Sequence, residues 1–85
     1  MPAPGGWFTC EVVRTGPAED GTVFIMLRDL GGAFGPGWYP AVDAMKREML
    51  ATALAAISTG FHVDVSLSST DEYAGRVNRM YVTRG

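Results

Sequence analysis

The sequence predicts an α+β fold: a small antiparallel β-barrel or curved sheet of four to five strands, with one long helix between the third and fourth strands. Three observations predict it. Phe61 to Ser68 alternates apolar and polar residues at the period of a half-buried strand. Pro40 to Ser58 (PAVDAMKREMLATALAAIS) repeats apolar residues at the period of a helix, about 100° per residue. Gly, Pro and Asp clusters divide the remaining β-branched and aromatic runs into short strands on both sides of that helix.

The elements follow in order. Residues 1–6 are rich in Pro and Gly and are expected to fray. Trp7 to Thr15 reads as a first strand, with Phe8, Cys10 and Val12 on one face and Trp7, Thr9, Glu11 and Val13 on the other. Gly16 to Gly21 carries Gly-Pro and Asp-Gly turn signals, so the chain should reverse into an antiparallel partner. That partner is Thr22 to Leu30, whose run Val23 to Leu27 is apolar on both faces, as in a strand covered from two sides. Gly31 to Tyr39 reads as a loop with room for one short strand near Phe34 or Trp38. Pro40 suits the first helical position, where its missing N–H costs nothing, and Gly60 suits the helix stop. Asp43 and Arg47 would then form a surface pair four residues apart. After the alternating strand, Ser69 to Gly75 is a polar hairpin loop and Arg76 to Thr83 the closing strand. This is the element order of the five-stranded OB barrel. One helix across a four-stranded sheet fits nearly as well. No internal repeat divides the chain, so residues 1–85 form a single domain.

The helix is apolar on more sides than a small core can cover. Val42, Met45, Met49, Leu50, Ala53, Ala56 and Ile57 form a broad stripe, and Ala44, Ala51 and Ala55 a small-residue face roughly opposite. One face can pack on the chain's own sheet, and the other is most economically covered by another copy of the same helix. Composition points the same way. A lone small core rarely supplies more than about 3–5 kcal/mol without a staple. Cys10 is the one cysteine, so an intrachain disulfide is impossible, and one cysteine with one histidine makes no metal cluster. Oligomerisation is the option that remains, and 47% hydrophobic with 19% charged residues fits it.

Charge narrows the partners. Seven basic and nine acidic residues give a net charge of −2, with the basic ones scattered, so the clustered Lys and Arg of a nucleic-acid binder are missing. The start, MPAPGGWF, shows no secretory signal, and the uncharged run Met49 to Ser58 is far short of the ~20 residues of a membrane span. Cytoplasmic residence fits the absence of a visible signal; secretion fits if a signal has been removed.

Candidate chemistry is sparse. His62 and Asp64 share the polar face of one strand, where a carboxylate can orient an imidazole, yet no nucleophile or third ligand accompanies them. Cys10, flanked on its face by Phe8 and Val12, reads as a small buried hydrophobe rather than a nucleophile. The glycines from Gly31 to Gly37 lie between strand and helix like a phosphate loop but lack the Lys-Ser/Thr pair and the third glycine of the known fingerprints. Trp38 and Tyr39, beside those glycines, are the strongest candidates for a binding surface, against the alternative that they plug the sheet under the helix start. Met26, Met45 and Met49 are read as core, with an adaptable groove as the alternative.

The C-terminal half also carries a resemblance. Met45 to Leu50, Leu50 to Gly60 (LATALAAISTG), Val63 to Leu67, a polar loop and Val77 to Val82 resemble the helix, strand, hairpin and final strand of cholera-toxin-type B subunits. That resemblance implies an OB-type barrel, a ring of five subunits with helices lining its pore, and glycan-binding surface sites. It places sugar contacts on Gly35 to Tyr39 and on Ser68 to Tyr73, hence on Trp38, Tyr39, Ser68, Ser69, Asp71 and Tyr73. Two departures stand out: Leu67-Ser68-Ser69 occupies the place of the sugar-stacking aromatic, and the family's disulfide has no second cysteine. The expectation is a non-enzymatic homo-oligomer, pentamer or dimer, that binds a carbohydrate and uses neither cofactor nor metal, with Ala44, Ala51 and Ala55 at its interface. The alternative is a small-molecule pocket at a subunit interface around Trp38, Tyr39, His62 and Asp64.

Overall fold

Alternation along the first strand sets the architecture: Cys10 and Val12 must be buried, which leaves Trp7, Thr9 and Glu11 on the outer face. The structure, a computed structural model, describes residues 5–84 and shows an α+β fold with one five-stranded antiparallel sheet and one helix. The strands are β1 (Gly6–Pro17), β2 (Val23–Asp29), β3 (Gly37–Pro40), β4 (His62–Leu67) and β5 (Val77–Thr83), and the helix is α1 (Lys46–Thr59). Of the segment expected to fray, residues 1–4 lie outside the described residues, and Gly6 already belongs to β1.

The strand order is β3-β2-β1-β4-β5, so β1 is central and β3 and β5 are the edges. The sheet is not closed. Its two edges touch through a single parallel bridge, Ala41 to Val77, supported by a 3.1 Å hydrogen bond from the Val42 N–H to the Val77 carbonyl. A bulge between Val12 and Arg14 shifts the β1–β2 register, and another lies where β4 and β5 meet near Leu67.

α1 packs on β1, β5, β2 and β4 through Met49, Ala53 and Ala56. The two alanines bring the helix backbone close to Ile25, Leu27, Val63, Val65 and Val77, which are fully or almost fully buried in the same cluster. Each such aliphatic side chain contributes about 1.5–3 kcal/mol. At the helix end Gly60 adopts φ 74°, and its N–H donates to the Ala56 carbonyl at 2.9 Å, the expected glycine stop.

The helix start differs from the expectation. Pro40 is the last residue of β3, opposite Phe24, rather than the first residue of a helix. Proline is tolerated there because β3 is an edge strand. Val42 is still extended, and Asp43–Met45 forms a separate 3₁₀ turn before α1 begins at Lys46. Ala44 therefore does not share an α-helical face with Ala51 and Ala55, and Asp43 and Arg47 do not form an i,i+4 helical pair. The short strand falls at Trp38, not Phe34.

Candidate functional site

The two loops expected to bind a ligand do meet. The Tyr73 N–H donates to the Trp38 carbonyl at 2.8 Å, and the Trp38 N–H donates to Glu72 Oε2 at 2.9 Å. Phe24, from the outer face of β2, stands edge-on to both Trp38 (6.4 Å between centroids) and Tyr73 (5.9 Å). The result is an aromatic patch of Phe24, Trp38 and Tyr73. Tyr73 is 60% exposed and is the one described non-glycine residue at positive φ (66°), a conformation L residues rarely adopt. Asp71 and Glu72 lie in the same loop, so its edge is acidic.

Tyr39 takes the plug role. It is buried, its ring meets Phe34 at 5.4 Å, and its hydroxyl donates to the Thr70 carbonyl at 2.6 Å. Burial, then the nearby Glu72, raises the phenol above its ordinary value, so it remains a donor. Ser68 and Ser69 hold the hairpin: Ser68 Oγ accepts from the Arg76 N–H at 2.8 Å and Ser69 Oγ from the Asp71 N–H at 3.1 Å. The Asp71 carbonyl accepts from the Ala74 and Gly75 N–H groups. Gly75 is required there because a Cβ would collide with the Ser69 carbonyl oxygen.

A second site lies on the outer face of β1, β4 and β5. Register places Thr9 opposite Asp64 and Asp64 opposite Tyr81, in one row across the three strands, with Trp7 in the next row opposite Ser66. Trp7 and Tyr81 lean together over β4 and stack, 6.0 Å apart and 11° from parallel. Thr9 Oγ1 donates to Asp64 Oδ1 at 2.7 Å, which fixes the carboxylate beside the rings. With Phe8 these residues line a cavity of 280 Å³. Trp7 is 54% and Tyr81 57% exposed, so the stack is a surface feature and not part of the core. Strand alternation places Trp7 and Thr9 on one face, and Asp64 on the polar face of its strand. What sequence cannot supply is that β1 and β4 are neighbours, a contact between residues 9 and 64.

The remaining candidates do not converge. Trp38 and Tyr39 on β3 are separated from His62 and Asp64 on β4 by two whole strands, so those four residues form no pocket within one chain. His62 shares the face of Asp64 and lies opposite Thr83, while the carboxylate is held by Thr9. Cys10 is fully buried, and burial reinforced by Asp29 and Asp64 pushes its thiol up to about 12, which removes it as a nucleophile. Asp29 closes the glycine loop: its Oδ2 accepts from the Ala33 N–H at 2.6 Å and its main-chain carbonyl from the Gly32 N–H, so both of these amides are already taken from any phosphate. No group of three or more His, Cys, Asp or Glu able to hold a metal occurs among the described residues, and no helix among them is long and apolar enough to cross a membrane.

Ala44, Ala51 and Ala55 are all exposed. On α1 the exposed surface also carries Leu54 (49%) and Ile57 (42%), so the uncovered flank is more apolar than an alanine stripe alone. Comparison with models of known families, with curated proteins and with solved structures finds no match to this chain.

Proposed function

We propose that this chain is a non-enzymatic carbohydrate-binding module that works as a homo-oligomer. The Trp7–Tyr81 stack beside the fixed Asp64 carboxylate carries the reading. The apolar face of a sugar ring stacks on an aromatic face, and its hydroxyls donate to a carboxylate in a charge-assisted hydrogen bond. A cavity of 280 Å³ is at the small end of ligand sites and suits one sugar ring. Binding at so shallow a site is weak, and several copies on one assembly make it effective through avidity. The exposed flank of α1, with Ala51, Leu54, Ala55 and Ile57, supports the self-association that avidity requires.

An OB-like, toxin-B-subunit-like architecture is part of the same proposal. The element order, the central β1 paired with both β2 and β4, and the bridge from Ala41 to Val77 favour it. Nucleic acid is disfavoured because Asp71 and Glu72 border the aromatic patch and Asp64 the stack.

A glycan array followed by calorimetry on the best ligand tests the reading, together with solution mass by light scattering. Expected are a multiple of 9.1 kDa and a loss of at least about tenfold in affinity for Trp7→Ala and for Asp64→Asn, with Trp38→Ala unaffected. A monomer, an array without signal, or a loss confined to Trp38→Ala would overturn it.

A further inference from the structure

β5 is an edge strand, and a groove runs along it. Four consecutive residues, Asn78 to Tyr81, line a cavity of 240 Å³ together with Met45, Met49 and Thr52 on the helix side. Successive side chains of a strand point to opposite faces, so a cavity touched by four in a row lies at the strand's edge. Beyond the bridge at Val77, residues 78–82 have no strand on that side among the described residues. An edge strand beside a helix is the geometry in which an extended peptide adds a strand: its main chain bonds to the edge, and its alternate side chains fill the groove. Met45, Met49 and Met80 supply an adaptable apolar wall.

Charge selects the occupant. Residues 76–84 contain Arg76, Arg79 and Arg84 and no acidic residue, in a chain whose net charge is −2. Pairing this strand with the same strand of a second copy would set one basic stripe against another, which is unfavourable. Arg79 lines the groove on the strand side and Glu48 on the helix side. We infer that the β5–α1 groove docks an extended segment of a partner protein in which acidic residues alternate with apolar ones, the acidic residues lying along Arg79 and the apolar ones against the methionines. The groove uses the edge of α1 bearing Glu48, Met49 and Thr52; Ala51 and Ala55 follow Glu48 by three and seven residues, so the groove adjoins the face proposed for helix-mediated assembly, while Leu54 lies further round the helix.

The test uses the full chain and a fluorescein-labelled, end-blocked short peptide that alternates glutamate with leucine or valine. Its lysine counterpart and a version with alternate backbone nitrogens methylated serve as comparators. Anisotropy should show binding of the glutamate peptide, with the lysine and methylated peptides at least about tenfold weaker. Arg79→Glu should reverse the charge preference, and Glu48→Lys should tighten the glutamate peptide. Glu48→Lys, on the helix side of the groove and outside the carbohydrate cavity, should leave carbohydrate binding unchanged, which separates the two sites. No binding up to millimolar peptide, equal binding of the methylated peptide, or amides of residues 78–82 already protected from exchange by a second copy in the free protein would overturn the inference.

Discussion

Replacing Tyr39 by Phe isolates one of the contacts that tie β3 to the hairpin loop, beside the two made by the Trp38 main chain. The ring stays, so its packing against Phe34 is kept and no cavity opens; only the hydroxyl that donates to the Thr70 carbonyl at 2.6 Å is removed. A hydrogen bond of this kind contributes about 0.5–1.5 kcal/mol net, and a buried carbonyl left without its donor costs about 1–3 kcal/mol. Thr70 is partly buried, so water recovers some of that, and the expected loss is about 1–1.5 kcal/mol. For a domain of this size each kcal/mol corresponds to about 4–8 °C, so the melting temperature should fall by about 4–12 °C. Circular dichroism melts measure it, with amide exchange at Tyr73 and Gly75 as the local readout. Tyr73→Phe is the control: Tyr73 is 60% exposed, so its change should lie within about 0.5 kcal/mol. If the two variants melt together and the loop amides exchange as in the parent, the Tyr39 hydroxyl does not hold the loop and the Trp38 main-chain bonds do.

Two further outcomes follow from burial and exposure. Cys10 has its thiol raised from 9.0 to about 12 in the folded state. Its contribution to stability is therefore complete below about pH 9 and is lost as pH rises towards 12. Urea titrations across that window should show an alkaline decline that Cys10→Ala flattens, and a thiol reagent at pH 8 should label only the unfolded chain; rapid labelling of the native protein would contradict the burial. Ala55→Arg, on the exposed flank of α1, should bring the solution mass down to 9.1 kDa while the circular dichroism spectrum persists. An unchanged mass would remove the helix from the assembly interface.

Local patterns carried much of this fold. Val63, Val65 and Leu67 are buried and His62, Asp64 and Ser66 are half-exposed, as strict alternation dictates, because β4 has one face on the core and one on solvent. Gly60 announced the helix end through the one backbone conformation that favours it. Pro40 misled because proline suits two places equally well, the first turn of a helix and an edge strand, and nothing local to Pro40 distinguishes them. The loop patch was half legible: Trp38 and Tyr73 stood out as aromatics in polar loops, whereas Phe24 was hidden in an apolar run. Tyr39 and Trp38 are adjacent and alternate, so one had to point inward, and only the packing decides which. The Thr9–Asp64–Tyr81 row, with Trp7 in the row beside it, was beyond reach, because it depends on which strands become neighbours across most of the chain's length.

The central position of β1 has a kinetic consequence. The strand that comes first along the chain can pair early with β2, through a short turn, but its other side waits for β4, whose Asp64 must find Thr9 from 55 residues away. Proteins dominated by such distant pairings fold in roughly milliseconds to seconds rather than microseconds. During that interval the β1–β2 hairpin presents an unsatisfied edge and uncovered Val and Ile side chains to every other chain in solution. The expected outcome is a refolding yield that falls as chain concentration rises; a yield independent of concentration would contradict it.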